Sequence, residues 1–427
     1  MPHKFMLTVI LALAVFSAVL AVSCADDSDE DGADADDDTE DGDKPPAFTE
    51  VLEAIAVGDV VYRYVEGNWE VVDAIPSGAL PWYSVDFRNA DDGWAGARGV
   101  LYRYDGTEWT LSQPGLTNQA IIERVRMTSG GVWALANEET GHGSILRLNA
   151  EGAWDVTRLD DVFGGGEHRA KDFVVGSAEA ATVLVTTDRS ARLIRFGGEE
   201  PETTALYDFD PLNWLTFNAL VARSDGRLIV GGRLNNGVAR QGVIWAEDEE
   251  GAFAPMAIAP ADCVLEDVVR FRRIDERLYM LGMCTRSVMY VLEGETWTKI
   301  DLPDNKGVLW RVNDLDFVDE QTGWAVGYSD SRNLPLLLLR DPGGWQQAEP
   351  PADDAGAVLY GVAVWPADGD HTGDDDLADD DTGDDDTGDD DTGDDDDDDT
   401  GDDDDDDDDT GDDDTSDDDT DDDDTDE

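Results

Sequence analysis

Gly93 to Trp109 reads GWAGARGVLYRYDGTEW, and the same order of features returns at Gly323 to Trp345 as GWAVGYSDSRNLPLLLLRDPGGW. Each copy reads as a strand, a turn, a second strand, a Gly-containing turn and a closing Trp. Closing aromatics recur at Trp69, Trp109, Trp154, Phe253, Trp297 and Trp345, spaced 40 to 48 residues apart except for one gap of 99. Phe196, in RLIRFGG, divides that gap, so the reading gives seven units.

Within each unit the order is constant. A first strand places a polar residue before an apolar run (SVDF, DFVV, NALVA, DVVRF, DLDF). A second is short and often bounded by Gly (GWAGA, GVWALA, RLIVGG, RLYMLG, GWAVG). The third is the most apolar (VLYRY, SILRL, ARLIRF, GVIWA, SVMYV, PLLLLR), and a fourth follows the Gly turn. Short strands at this spacing with turn chemistry between them predict antiparallel sheet. Four-stranded repeats of 40–50 residues predict an all-β, seven-bladed β-propeller. Third strands apolar on both faces fit blades sandwiched between neighbours, and no 3.6-residue periodicity competes. The ends agree with closure. The first unit lacks a first strand, while Val358 to Trp365 (VLYGVAVW) is an orphan with the first-strand pattern. A C-terminal strand completing the first blade explains both and removes exposed sheet edges.

These residues carry a resemblance. Gly-Trp-Ala-x-Gly, an apolar third strand and Asp-Gly-x-x-Trp are similar to the BNR/Asp-box, sialidase-like propellers and to the photosystem II assembly factor propellers. The resemblance spans residues 48–366. Tyr104-Asp105-Gly106-Thr107-Glu108-Trp109 comes nearest to an Asp-box but lacks its Ser and its spacing. It implies a fold and implies no sialidase activity.

The charge is unevenly spread. The formal net charge of −73 is carried largely by 12 acidic residues in 25–45 and 40 in 367–427; the span between holds 50 acids against 27 Lys and Arg. Both flanking stretches lack apolar periodicity and read as a solvated linker and a self-repelling Asp/Thr/Gly tail. No clustered Lys/Arg supports nucleic-acid binding. The chain opens with His3 and Lys4, an apolar run from Phe5 to Val22, then Ser23 and Cys24. This resembles the lipobox of bacterial lipoproteins, with Ala21 where Leu is usual; an uncleaved anchor is the alternative. The resulting division is a signal peptide over 1–23, a lipidated Cys24 with an acidic linker over 24–47, the propeller over 48–366 and the tail over 367–427. The resemblance implies a bacterial cell-envelope protein, lipid-anchored, at the outer membrane or cell surface. Membrane attachment runs through Cys24.

Two further cysteines, Cys263 and Cys284, flank the expected hairpin Leu265–Phe271/Arg277–Gly282. In an exported protein they are expected to form a disulfide, worth about 3 kcal/mol for a loop of this size. Two reduced, buried thiols are the alternative.

In propellers the second-to-third turns and the fourth-to-first loops share one face. There the sequence places Arg98, His142, Arg189, Arg233, Arg286 and Arg332, with His168 in an adjacent loop and Asp172, Asp267 and Asp314 at first-strand starts. One reading is an arginine-ringed funnel for an anionic ligand such as a carboxylated or sulfated glycan, since guanidinium groups hold carboxylates bidentately. The other is repeat-borne salt bridges. A third folds the acidic tail onto the ring. A second recurring arginine, at Arg63, Arg103, Arg147 and Arg195, reads as structural and bonded between blades.

Signatures of catalysis are thin: no nucleophile elbow, no phosphate loop, and too few His for a metal cluster. No cofactor is implied, although Asp runs can hold Ca²⁺ loosely. The expected function is a membrane-anchored, extracytoplasmic, non-catalytic binding or scaffold module for an unknown protein or anionic glycan. The alternative is a propeller hydrolase or lyase acting on an acidic polysaccharide, with Asp172 and Asp267 as a carboxylate pair.

Overall fold

The computed structural model describes residues 52–366, apart from 77, 130, 188–189, 199, 209–213, 259–262, 304–308, 331–332 and 352–354. Cys24, the acidic linker, the tail, Arg189 and Arg332 lie outside the described residues. Seven four-stranded antiparallel sheets follow one another along the chain. In six of them the strands run in sequence order. In the remaining sheet, Leu359–Pro366 pairs with Leu52–Gly58, so the last strand completes the first blade. Every sheet partner of the ring is thus contained in residues 52–366.

The first strands contact one another from blade to blade and so surround the axis. They are Leu359–Pro366 in blade 1, then Ser84–Asn89, Ala120–Thr128, His168–Val175, Trp214–Ala222, Asp267–Ile274 and Trp310–Phe317 in blades 2 to 7. In six blades this strand carries a bulge near its start, which leaves Glu123, Lys171, Asn218, Val269, Asn313 and Tyr360 without a direct cross-strand partner. A bulge bends the strand and re-aims a side chain.

The Gly-Trp-Ala-x-Gly strand is a steric solution to this geometry. A Cβ on Gly323 would lie 2.5 Å from the Phe317 ring, and one on Gly93 2.4 Å from the Phe87 ring. The second glycine of the motif, Gly327, faces the bulge, where a Cβ would come within 1.9 Å of the Arg311 carbonyl oxygen. Gly232 and Gly58 meet the Thr216 and Val358 carbonyls at the same distance. The intervening Trp has a separate task. Trp94 of blade 2 packs edge-on against Trp154 of blade 3 at 5.3 Å, and Trp324 of blade 7 against Trp69 of blade 1 at 4.8 Å. Such aromatic pairs are worth roughly 0.5–1.5 kcal/mol beyond their area. Each motif therefore clasps the following blade.

Phe196 ends the third strand of blade 4, Ser190–Phe196, as the ARLIRF pattern predicts, whereas the closing Trp of most other blades lies in the fourth strand. Its ring still reaches Trp133 of blade 3 at 5.9 Å and occupies the slot of a closing aromatic.

Carboxylates staple the blades at the axis. Asp86, Asp172, Asp314 and Asp316 each accept a hydrogen bond from the next residue's N–H. Their second oxygens accept the N–H groups of Met127, Leu220, Val362 and Val364, all on the first strand of the following blade. Asn137 grips both the N–H and the C=O of Ala170 in the same manner. Arginines neutralise these acids in two layers. Arg124 lies 3.8 Å from Asp172 and Arg270 pairs with Asp314; two residues further along, Arg272 pairs with Asp316 at 2.5 Å and Arg126 lies near Asp86. Four acids thus meet four arginines. Burial raises the Asp86 carboxyl above its usual range, opposed by Arg126 and Arg272. Burial and the charge of Arg124 lower Arg270 to about 9, which leaves it protonated at neutral pH.

The recurring third-strand arginines are structural in a different sense from that expected. Arg63, Arg103 and Arg147 pair within their own blades, with Glu53, Asp92 and Asp155. Only Arg195 among them bonds between blades, to Glu247 at 3.1 Å.

Gly327→Ala should lose about 1–3 kcal/mol in urea denaturation, while Gly165→Ala, with open space around its Cα, should be nearly neutral. Asp314→Ala should cost about 3–5 kcal/mol by stranding Arg270 in the interior. Adding Arg270→Met should recover much of the loss, and full additivity of the two changes would show that they are not partners.

Candidate functional site

One end of the ring carries the second-to-third turns and the fourth-to-first loops, and the sequence-derived candidates scatter there. Arg98 donates to the Tyr83 hydroxyl at 3.5 Å and lies 3.7 Å from Glu139. The Tyr83 contact, then Glu139, hold its guanidinium above the ordinary value. His142 Nδ1 is 2.8 Å from Asp160, on a short helix spanning Leu159–Phe163. His168 is buried, and its Nε2 is 3.0 Å from the Gly164 carbonyl oxygen, so the two histidines sit on adjoining strands without sharing a site. Arg286 is exposed in the turn beside Cys284, which is joined to Cys263 across 21 residues.

Two of the acids are corrections. Asp172 and Asp314, read as facing a ligand, are 4% and 3% exposed and are spent on the blade staples described above. The hydrolase alternative therefore loses one member of its carboxylate pair. Asp267 remains at the upper end, accepting from Asn218 Nδ2 at 2.9 Å and lying 3.6 Å from Arg233. Burial raises its carboxyl pKa, with Arg233 and Asn218 opposing.

What the fold does assemble is a cavity of about 670 Å³ at the top of blades 4 and 5. Arg169 and Lys171 enter from the first strand of blade 4 and Arg233 from the second strand of blade 5; Tyr207 and Trp214 supply aromatic wall, and Glu167 is the one carboxylate of the lining among the described residues. Arg233 lies in the strand Leu228–Asn235 rather than in a turn, opposite Thr216. Lys171 is the bulge residue of blade 4, so its side chain leaves the alternation of the strand and reaches this mouth. Burial lowers its ammonium pKa, partly offset by Glu123 and then reinforced by Arg169 and Arg233. Three cations converging on one concave surface add their fields there and attract an anion more strongly than any one of them does.

Sequence reading found Arg233 but missed Arg169, Lys171 and Trp214. The available signal was the tripeptide Arg169-Ala170-Lys171 directly before the repeated acidic position, where other first strands carry at most one cation.

Comparison with family models and with curated protein sequences finds no match. Solved propellers are similar in shape. YCF48 bound to D1 peptide is 16% identical, with 73% of this chain and 95% of that one covered and a TM-score of 0.46. YCF48 from Cyanidioschyzon merolae is 14% identical, covering 67% and 90%, at 0.46. The Cps50 (Swd1) β-propeller domain from Myceliophteria thermophila is 12% identical, covering 68% and 98%, at 0.47.

Lys171 yields a signed expectation. Between its lowered folded value and the ordinary 10.5, the unfolded chain binds more protons there, so stability rises with pH across that window. Lys171→Met should raise the melting temperature at pH 7, narrow that advantage by pH 10, and weaken anion binding about tenfold. An unchanged melting temperature at pH 7 would mean that the ammonium bears no burial cost.

Proposed function

We propose that the chain is a lipid-tethered, extracytoplasmic binding module of the bacterial cell envelope, non-catalytic, whose propeller holds an anionic group of a protein or glycan between blades 4 and 5. The observation that carries this reading is the convergence of Arg169, Lys171 and Arg233 on one cavity beside Tyr207 and Trp214, in a chain whose net charge is −73. Burying a cation and crowding it against two others is costly unless an anion or a carboxylate partner offsets the cost. The tether rests on the sequence, the apolar run from Phe5 to Val22 followed by Cys24.

The topology suits a tethered receptor. Leu52 and Pro366 are cross-strand partners at the end of blade 1 opposite to the cavity. A tether joined before Leu52 attaches at the first-to-second turn end of the ring, the end opposite the cationic mouth. The resemblance to Asp-box repeats supports the same class of fold: Asp105 accepts from the N–H groups of Thr107 and Glu108 and from the Thr107 hydroxyl. These bonds, led by that from Glu108, hold its carboxyl at about 2.

The fragment 46–366, which contains every sheet partner, should bind acidic glycans or acidic peptides on an array and lose at least tenfold in affinity in Arg169→Ala/Arg233→Ala. Arg98→Ala, at a residue already engaged by Tyr83 and Glu139, should change binding less than twofold. Equal loss in both variants would assign the binding to net charge rather than to this site.

A further inference from the structure

A second cavity of about 600 Å³ adjoins the cationic one and shares Tyr207 and Leu215 with it. Leu234, Val243, Trp245, Met256 and Ile258 supply most of its wall. Its origin is local. The outer strand of blade 5 is only three residues, Phe253–Pro255, and pairs with Trp245–Glu247 alone. Pro255 has no N–H to extend a ladder. The chain then leaves the sheet and bridges to Trp297 of blade 6 at Ile258. Above it the neighbouring strand keeps single bonds, from the Met256 N–H to the Ile244 carbonyl and from its own Gly242 N–H to the Leu265 carbonyl, but among the described residues no outer strand continues along Arg240–Val243, and the apolar chamber lies there.

Trp214, which lines the cationic chamber, is 59% exposed and presents an aromatic face at its mouth.

We propose that the two chambers together take an amphipathic anion, a carboxylate or phosphate head on Arg169, Lys171 and Arg233 with an acyl chain lying in the apolar chamber. The proposal rests on the anion-binding reading above and adds the chemistry of the rest of the ligand. Charge complementarity sets the head end, because the three cations face the shared Tyr207–Leu215 wall from one side only. An acyl chain suits the other side better than a polypeptide. Every main-chain N–H and C=O of a buried peptide needs a partner. Among the described residues, the chamber offers one polar side chain, Gln241, apart from Tyr207 and the Trp245 indole.

The test is displacement of a fluorescent undecanoic acid probe from the fragment 46–366 by fatty acids from butanoate to palmitate, with palmitate methyl ester as the uncharged control. Affinity should rise roughly fourfold per methylene while the chain still lies within the chamber. It should fall at least tenfold in Arg169→Ala/Arg233→Ala and for the ester. Met256→Trp, which fills the chamber with a large, mostly apolar ring, should abolish the chain-length dependence but keep the weak binding of butanoate. Met256→Asp, checked by its melting curve, gives a second obstruction. If acidic glycans bind and fatty acids show no chain-length dependence, the amphiphile proposal is overturned while the anion reading stands. If palmitate and its ester bind alike, the cationic chamber is not the head site and both fail. Binding of an alternating Val/Thr peptide ending in Asp, with none of palmitate, overturns the acyl chain in favour of a polypeptide. Co-sedimentation with phosphatidylglycerol vesicles separates the two lipid sources: retention with vesicles assigns a membrane phospholipid, and its absence together with palmitate binding assigns a free fatty acid.

Discussion

A carboxylate arrangement ties three of the seven seams of this ring, blade 2 to 3, blade 4 to 5 and blade 7 to 1. An aspartate on an innermost strand accepts its neighbour's N–H with one oxygen and, with the other, an N–H of the next blade. Side-chain packing between blades is tolerant of small rotations, and these bonds, with those of Asn137 to Ala170, fix the register that packing leaves loose. A hydrogen bond to an ionised acceptor is directional and short. Ionised carboxylates in an interior demand countercharge, and so the same strands carry Arg124, Arg126, Arg270 and Arg272. The axis is consequently occupied by a neutral lattice of charges in a molecule that is strongly acidic elsewhere. Any ligand site has to lie above that lattice, at the mouth where the bulges turn side chains outward.

The fold was legible because its repeats record steric necessity. Gly327 and Gly93 stand where no side chain fits, and Trp94 and Trp324 fill the gap toward the next blade. A missing first strand and an orphan last strand could be matched on sequence alone, since hydrogen-bonding edges need partners. In Phe196 the aromatic slot of blade 4 was recognised on sequence, although the residue filling it comes from the third strand rather than the fourth. Packing conserves the volume, not the position in the chain that provides it.

The site was less legible, for a geometric reason. Strand alternation tells which residues share a face, but one extra residue in a bulge reverses the assignment for everything before it. Lys171 and the staple Asp172 are neighbours in sequence, and the bulge sends one to the mouth and the other into the interior. Two of the three acids expected to face a ligand, Asp172 and Asp314, were therefore the ones most deeply committed to the architecture. Arg98 and His142 were correctly placed on the loop end, and like Arg233 each has a carboxylate beside it, but neither lines the cationic cavity. Concavity, which separates Arg169 and Arg233 from them, is a property of three dimensions that no spacing records.

The closing ladder has a mechanical consequence. Leu52 and Pro366 face each other at the same end of an antiparallel pair, and both acidic extensions attach there. Tension between the two extensions acts across that pair rather than along it, so its hydrogen bonds would break in succession, like a zipper, instead of sharing the load as they do in shear. Like charge on the two extensions pushes their attachment points apart at low ionic strength, and screening relaxes that push as salt rises. The seam that completes the ring is thus also the place where ionic strength and any pull on the extensions are felt first.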